Sequence, residues 1–579
     1  MKLSVRVFTA LALFLALLAG TFAAPLTVKA PDFTLLPEGS LKDGICSFWT
    51  RGQAACVIDV AQPGTYSFII VARGDFAGGE WPVMRVLRDG QPVLRTEVSS
   101  TNWAPYTFEL ELEPGQHELA MAFANDYLQG NDDRNLHIED FSVIPPGNLP
   151  TPTILPASGY TDFLAAQQAK LREDTARRID QIRKGDLAVT VLQADGTPAT
   201  NVTVTVDMVR HAFSFGTALG SAFLEEKYTP EETSQFTDAV RHYFNHAVTE
   251  NELKWMPMES KFEEVRYEKG DLLAAWCQTN GISLRGHCLF WGCEVPDWVR
   301  ATPDDKLRAV ISRRARNTVS YYRDTIREFD VLNEALHCPY LATRLGDSIY
   351  RQMFAEASGS NPNAALYINE YGILEGEDLD DYVTQIRGLV EAEVPVSGIG
   401  VQAHFEGAVD PERVQRALDT LAQFKLPIKI TEFDCNSTNE QVQAESLENL
   451  YRVAFAHPSV AGILMWGFWE KAHWRPRAAM LRADFSKKPA AEAYEKLVLG
   501  EWWTHETGTT DHRGQFSCRS FLGTLQVVAR QPGGNETSTK VELKRQRAPL
   551  NVTVTLPAAS PVEAATENEG EESESADSP

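Results

Sequence analysis

The sequence predicts an α/β fold: a (β/α)8 TIM barrel with a β-sandwich before it and a small β-module after it. Between residues 210 and 499, eight short apolar segments alternate with amphipathic segments of helical period, which is the pattern of parallel βα units. Residues 26–145 instead alternate short β-rich runs with Gly, Pro and Asp turns, as β-sandwiches do. Residues 507–556 return to this strand pattern. A chain of 579 residues is too long for one hydrophobic core, so several folded units are expected.

The N-terminal segment, residues 1–24, has the layout of a cleaved secretory signal. Lys2 and Arg6 precede an apolar run, and the residues T-F-A-A follow it. No later segment is apolar over the roughly 18 residues that a membrane span requires, so we expect a secreted protein without one. The formal net charge of −25 argues against nucleic acid or anionic membranes as partners. We also expect the protein to be a monomer.

Three further segments complete the predicted organisation. Residues 146–160 are Pro-rich and predict a stiff linker. Residues 161–209 predict a charged helix followed by two strands around an Asp-Gly turn. The acidic residues 557–579 contain few apolar groups and predict a disordered tail. The chain has eight cysteines, and Cys46 with Cys56 is the predicted disulfide because both lie in one short strand-rich stretch.

Two glutamates stand at the ends of predicted barrel strands. Glu334 ends E-F-D-V-L-N-E, and Glu432 follows the apolar run of P-I-K-I-T-E-F-D. The strands of such a barrel end at its C-terminal mouth, where the chemistry of the fold takes place. Two carboxylates facing one cleft are the minimum equipment for cleaving a glycosidic bond, one as proton donor and the other as nucleophile. Each glutamate taken alone also fits an ordinary strand-end carboxylate.

Other polar and aromatic residues occur at the same strand ends. Hydroxyl-binding groups and flat indoles around paired carboxylates suit a pyranose ring, which has C–H-rich faces and a rim of hydroxyls. A single His or Trp at a strand end is more often a packing residue, but the complete set favours a sugar-binding cleft. The candidate substrate-binding residues are Glu250, Asn251, Lys254, His287, Trp291, Asn333, Gln402, His404, Trp466 and Trp474.

Seven motifs in this part of the chain resemble glycoside hydrolase family 10, the (β/α)8 endo-β-1,4-xylanases. In the family's order and spacing they are T-E-N-E-L-K-W (249–255), R-G-H-C-L-F-W (285–291), F-D-V-L-N-E-A (329–335), L-Y-I-N-E-Y (366–371), V-Q-A-H-F (401–405), I-T-E-F-D (430–434) and M-W-G-F-W-E-K-A-H-W (465–474). The resemblance implies hydrolysis of xylan, with Glu334 as acid/base and Glu432 as nucleophile. It also implies that the ten candidate residues bind the sugars flanking the scissile bond.

A retaining mechanism with these two glutamates predicts the geometry and the protonation of the site. Direct attack by Glu432 requires the two carboxyl groups to lie about 5–5.5 Å apart and retains the anomeric configuration. Glu334 must begin protonated and then act as a base. We expect Asn333 to bind the sugar 2-OH and His404 to hold Glu432 in its ionised form. The chemistry uses carboxylates alone and needs no cofactor.

The chain also departs from the family pattern. Gly292 stands where the family usually has His, so we expect the cleft to lack a polar wall and its affinity or preferred chain to differ. Phe329 replaces the usual Trp, and Glu470 stands where Asp is common. Cys338 and Cys435 each follow a catalytic motif, and they could be buried thiols or form a bridge.

The predicted sandwich has a functional signal of its own. The segments 99–106 and 123–140 resemble small calcium-dependent xylan-binding modules. Asp126, Asp132 and Asp133 lie in one loop and offer the hard oxygen ligands that suit Ca²⁺. The alternative is a solvated acidic turn.

Two classes of function remain open from sequence. The first is a secreted retaining endo-1,4-β-xylanase with an attached binding module, and a related β-glycanase on cello- or mixed-linkage chains is its nearest competitor. The second is a non-catalytic polysaccharide-binding protein that kept the barrel. The presence of both Glu334 and Glu432 speaks against the second class.

Overall fold

The computed structural model describes residues 24–29, 32–36, 39–49, 52–130, 132–376, 378–532 and 534–558. Nearly all of the predicted signal segment and acidic tail lie outside these residues. The chain divides into two compact units, residues 1–182 with 213–502 and residues 183–212 with 503–579. Within the described ranges, every helix is too short or too polar to cross a lipid bilayer.

The first unit begins with the predicted β-sandwich. All pairings in its two six-stranded sheets are antiparallel, and side chains from both sheets form one core. One sheet contains Leu26–Lys29, Ser40–Lys42, Ile45–Phe48, Gly64–Gly74, Ala104–Leu112 and Leu136–Ile144. The other contains Thr34–Leu36, Gln53–Val60, Val83–Arg88, Gln91–Glu97, Gly115–Phe123 and Thr153–Ile154. A short hairpin, Tyr127–Gln129 with Asp132–Arg134, carries the acidic loop.

The predicted disulfide between Cys46 and Cys56 is wrong. Cys46 lies in Ile45–Phe48 of one sheet and Cys56 in Gln53–Val60 of the other, and both are free, buried thiols of the core. Burial raises the pKa of Cys46 to about 12, which keeps it an unreactive thiol. Closeness along the chain misled the prediction, because the two strands belong to opposite layers.

The segment expected to be a linker takes part in the fold. Within residues 146–160, Thr153–Ile154 pairs with the strand Gln53–Val60, and a helix already begins at Ala157. This helix, Ala157–Arg183, packs Tyr160 against the sandwich. Further along, Arg172 binds Glu448 of the barrel in a bidentate ion pair with distances of 2.8 and 3.1 Å. The helix therefore joins the sandwich to the barrel within one compact unit.

The predicted barrel is present with all eight strands. Each strand is parallel to its neighbours, and pairing of the third with the fourth strand closes the cylinder. In chain order, barrel strands one to eight are Ser214–Leu219, His246–Thr249, Ser283–Gly286, Ile326–Asn333, Ala365–Glu370, Gly398–Val401, Ile428–Cys435 and Val460–Met465. Two short strands, Phe290–Trp291 and His404–Phe405, extend the mouth. Almost every strand residue is buried, as expected of a sheet covered on both faces.

Helices surround the strands and begin where their sequences supply caps. Thr229 and Glu232 form a capping box around the first turn of the helix that begins at Pro230, and the Asp410 side chain accepts from Glu412 N and Arg413 N. The α-helices are Pro230–Tyr243, Trp255–Met258, Glu268–Thr279, Asp297–Ala301, Asp304–Tyr321, Tyr340–Leu345, Ser348–Ser360, Leu379–Glu391, Pro411–Ala422, Glu440–Phe455 and Pro489–Tyr494. Short 3-10 helices are Ser221–Leu224, Glu470–Ala472 and Pro476–Ala478, and a π-helix spans Glu495–Glu501.

The second unit combines two segments that the sequence had suggested were separate. The strands on either side of the Asp195-Gly196 turn enter different sheets, each with strands of the C-terminal module. One sheet contains Lys184–Leu192, Gln515–Phe521 and Leu550–Thr555. The other contains Thr203–His211, His505–Thr509, Gly523–Arg530 and Glu536–Leu543. The lead-in and the C-terminal module are thus one β-unit, because neither segment has enough strands to bury its apolar face alone.

Candidate active site

Glu334 follows directly on barrel strand four, at the mouth of the barrel. Its backbone adopts φ 53°, the left-handed region that costs a non-glycine residue about 1 kcal/mol or more. The Glu334 N–H donates to Asn369 O at 2.9 Å, which anchors this conformation to strand five. Strain of this kind is concentrated at functional sites, where the surrounding structure enforces it.

The Glu334 carboxylate is held by three donors from three different strand ends. Trp291 Nε1 donates to Oε2 at 2.8 Å. Asn333 Nδ2 and Gln402 Nε2 donate to Oε1 at 3.1 and 2.9 Å. This carboxylate is half-buried, so it is fixed in position while remaining open to the cleft.

Glu432 lies within barrel strand seven and is only 4% exposed. Asn369 Nδ2 donates to its Oε1 at 2.7 Å, and His404 Nε2 lies 3.3 Å from its Oε2. His287 Nδ1 is 4.0 Å from Oε1. Two imidazoles therefore lie beside this one buried carboxylate.

A hydrogen-bonded amide chain links the two carboxylates. Asn369 Nδ2 also donates to Asn333 Oδ1 at 2.8 Å, and Asn333 in turn donates to Glu334. The Thr431 hydroxyl donates to Asn369 Oδ1 at 2.7 Å, which fixes the orientation of this amide. The geometry therefore brings Glu334 and Glu432 into one site with a defined relative position.

His404 is placed to carry a positive charge next to Glu432. Its Nδ1 lies 2.9 Å from Asp434 Oδ2. Burial opposes the charge, but Asp434 and Glu432 outweigh burial and raise the pKa of His404 to about 9. The protonated imidazole lowers the pKa of Asp434 in return, although burial acts in the opposite direction.

His287 is held in a similar way by a buried cluster of charges. Burial opposes its charge, while Cys288, Asp330 and Glu432 raise its pKa to about 10. Asp330 Oδ2 lies 3.0 Å from His287 Nδ1, and Asp330 also pairs with the fully buried Arg285. These ion pairs tie the barrel interior to the site.

The remaining predicted sugar-binding residues surround the two carboxylates. The Lys254 ammonium donates to Asn251 Oδ1 at 2.9 Å and lies 5.1 Å from the centre of the Trp291 ring. Burial, followed by the charge of Glu252, raises the pKa of Glu250. The ring of Trp466 packs 4.9 Å from His287, and that of Trp474 packs 4.9 Å from His404. All ten candidates thus lie at the mouth, in contact with one another or with Glu334 and Glu432.

Cys338 and Gly292 lie in two loops that meet at the mouth of the barrel. Cys338 forms a disulfide with Cys293, whereas Cys435 is a buried thiol whose Sγ donates to Gly407 O. A Cβ on residue 292 would lie 2.0 Å from Cys338 O, so only glycine fits there. Gly292 thus allows the loops after strands three and four to approach each other closely beside Glu334. The sequence predicted only that a polar wall of the cleft would be missing here.

In the sandwich, the three predicted calcium ligands do not converge. Among the described residues, the side-chain oxygens of Asp126, Asp132 and Asp133 do not all lie within 4.8 Å of one another. Neighbouring residues of a strand point to opposite faces, which separates Asp132 from Asp133. Asp132 Oδ2 accepts from Gly78 N at 3.0 Å, while Asp133 Oδ1 is buried without a hydrogen-bond partner in the described part of the chain. That buried oxygen fits one ligand of a cation.

Several residues of the site had not been predicted from the sequence. Asn369 and Asp434 lie inside motifs that were recognised, but no role was assigned to them. Asp434 is two residues from Glu432 on the same strand, and that spacing was a usable signal. Asp330 and Cys293 gave no signal, because their partners lie far away in sequence: Arg285 on strand three and Cys338 in the loop after strand four.

Comparison with known proteins found two matching family models and similar solved structures. A model of "Glycosyl hydrolase family 10" matches residues 206–497, and a model described as "Ca-dependent carbohydrate-binding module xylan-binding" matches residues 67–153. Among solved structures, xylanase 10B from Thermotoga petrophila in complex with xylobiose has a TM-score of 0.47 and 23% identity, covering 50% of this chain and 95% of that one.

Two curated relatives have longer chains. "Anti-sigma-I factor RsgI6" of Acetivibrio thermocellus is 36% identical over 408 residues, covering 70% of this chain and 52% of the relative. "Endo-1,4-beta-xylanase 1" of Arabidopsis thaliana is 33% identical over 379 residues, covering 64% of this chain and 39% of the relative. The chain therefore spans about half or less of the length of these two relatives.

Proposed function

The chain belongs to glycosyl hydrolase family 10, and from this premise we propose that it is a secreted, retaining endo-1,4-β-xylanase. Glu334 is the acid/base and Glu432 the nucleophile. The observation that carries the proposal is the amide chain through Asn333 and Asn369, which joins two strand-end carboxylates in one cleft.

In the first step the Glu432 carboxylate attacks the anomeric carbon and Glu334 gives its proton to the departing glycosidic oxygen. Protonated His404 lies beside the Glu432 carboxylate and balances its negative charge. In the second step Glu334, now a carboxylate, takes a proton from a water molecule whose oxygen attacks the anomeric carbon. This attack breaks the bond between the sugar and Glu432, so the sugar leaves with retained configuration. The fixed donors around Glu334 keep it within reach of both oxygens.

The sugars on either side of the scissile bond are bound by the surrounding residues. The indoles of Trp291, Trp466 and Trp474 supply flat surfaces for the C–H-rich faces of xylose rings. Lys254 and Asn251 supply hydroxyl partners at the rim. Trp474 is 51% exposed, which leaves its ring accessible to a polysaccharide.

The sandwich is proposed to bind xylan with the help of Ca²⁺, as the name of its matching family model suggests. Asp133, with its buried carboxylate oxygen, would be one ligand of the ion. Bound calcium would supply coordination positions for sugar hydroxyls. Catalysis itself needs no metal.

The proposal is tested with Glu334→Ala on two substrates. Loss of the general acid should reduce kcat/KM on xylan by about 10²- to 10⁴-fold. An aryl xylobioside with a good leaving group needs little protonation, so its glycosylation step should be affected far less. The matched control is Glu445→Ala, on the exposed side of the helix Glu440–Phe455. Equal losses on both substrates would contradict the acid/base role.

A non-catalytic polysaccharide-binding protein is the second candidate, because one relative is named an anti-sigma factor and not an enzyme. A reducing-sugar assay of the purified chain on xylan, cellulose and mixed-linkage glucan decides between the candidates. Release of sugar from xylan supports the proposal. Binding without release on every polymer supports the second candidate, and release from glucans alone identifies a related β-glycanase.

A further inference from the structure

Two loops at the mouth of the barrel are joined beside Glu334. The disulfide Cys293–Cys338 links the loop after strand three to the loop after strand four, across 45 residues of chain, with the two Cα atoms 5.1 Å apart. Its two sulfur atoms lie within 4.8 Å of a carboxylate oxygen of Glu334. Cys293 is exposed, so the bond is accessible from solvent.

Each of the two loops also donates a hydrogen bond to Glu334. The Cys338 N–H donates to Glu334 O at 2.7 Å. On the other loop, Trp291 is two residues before Cys293, and its Nε1 donates to Glu334 Oε2 at 2.8 Å. The contacts therefore form a closed ring: from the Glu334 backbone to Cys338, through the disulfide to the loop of Trp291, and from the Trp291 indole back to the Glu334 carboxylate.

Gly292 is the residue that allows this ring to close. A Cβ at this position would lie 2.0 Å from Cys338 O and 3.2 Å from Tyr340 N. Both are backbone atoms, so the clash could be relieved only if one loop moved away from the other. Gly292 and the disulfide thus depend on the same close approach of the two loops.

We propose that Gly292, Cys293 and Cys338 form a positioning clamp for Glu334. The clamp holds the Trp291 indole against the carboxylate, and thereby fixes the general acid relative to the glycosidic oxygen. Proton transfer depends steeply on this distance, because a displacement of about 1 Å can reduce the rate of an enzymatic step about 100-fold. The inference rests on the proposed function of Glu334.

The clamp is tested with the double variant Cys293→Ala/Cys338→Ala in the full-length chain. We expect kcat on xylan to fall about 10- to 100-fold. KM on xylan should change less than about twofold. The same holds for kcat/KM on an aryl xylobioside with a good leaving group, because this ratio reports the glycosylation step, and that step needs little protonation with such a leaving group. The matched control is Cys518→Ala, which removes a free, half-buried thiol from the second unit.

Chemical reduction provides a second route that does not depend on the folding of a variant. A dithiol such as dithiothreitol reduces Cys293–Cys338 to two thiols and is itself oxidised to a cyclic disulfide. EDTA is added because the freed thiols and Glu334 could together hold a metal ion. Reduced wild type should reproduce the substrate pattern of the double variant, and the reductant should have no further effect on that variant.

Gly292→Ala completes the test. Activity on xylan should fall in the disulfide-bonded protein. The same change added to Cys293→Ala/Cys338→Ala should lower activity no further than in that double variant, because its loops are already free to separate. Equal losses on both substrates, or no loss on reduction, would overturn the clamp. If Glu334→Ala itself shows no difference between the substrates, the proposed acid/base role fails instead.

Discussion

Asp434→Asn should shift the alkaline limb of the activity profile to lower pH. In the native protein, burial opposes the charge of His404, but Asp434 and Glu432 raise its pKa to about 9 from an ordinary value of 6.5. This rise corresponds to about 3 kcal/mol of interaction in favour of the protonated imidazole. Asparagine keeps the shape of the side chain and removes its charge, so the pKa of His404 should fall.

The direction of the pH effect follows from the raised pKa of His404. The stabilising interaction of His404 is fully present below pH 6.5 and is lost as the pH rises through about 9. In Asp434→Asn the imidazolium, and with it the positive charge beside the attacking Glu432 carboxylate, is lost at a lower pH. The nearby Arg475 and His473 cannot compensate, because neither supplies a negative charge.

The assay is kcat/KM for an aryl xylobioside between about pH 5 and pH 10. We expect the alkaline midpoint to move down by more than about one pH unit. The matched control is Asp419→Asn, which changes an exposed carboxylate paired with His457 on the outside of the barrel. An alkaline midpoint unchanged from wild type would refute the assignment of this charge to His404.

Three further outcomes are expected. Glu432→Ala should abolish turnover on xylan, because it removes the attacking atom. Binding of xylan in affinity electrophoresis should remain intact, because the cleft is unchanged. Retention of more than about one per cent of the activity would contradict the nucleophile role. In the inactive Glu432→Ala chain, EDTA should weaken retardation by xylan if the sandwich binds through calcium, and retardation unchanged by EDTA would argue against the metal. Asp330→Ala should lower the free energy of unfolding, measured in urea, by about 3–5 kcal/mol, because it removes a negative charge paired with the fully buried Arg285. The control Asp324→Ala removes an exposed carboxylate and should change the free energy of unfolding little.

The chain's periodicity was enough to predict the barrel. Each of its eight strands is a short apolar run followed by polar residues, and such a run can be buried only in a sheet covered on both faces. Because every parallel strand ends at the same mouth, Glu334 and Glu432 could be placed in one site without coordinates. The same logic predicted that His404 and Trp466 would lie near them.

Contacts between segments far apart in sequence were decided only by the tertiary structure. Cys46 and Cys56 are near in sequence but lie in opposite sheets, whereas Cys293 and Cys338 are 45 residues apart and bonded. Side-chain period and turn chemistry are local, so they carry no information on which strands become neighbours. For the same reason the union of residues 183–212 with 503–579, and the place of Gly292 against Cys338 O, could be recognised only once the chain had folded.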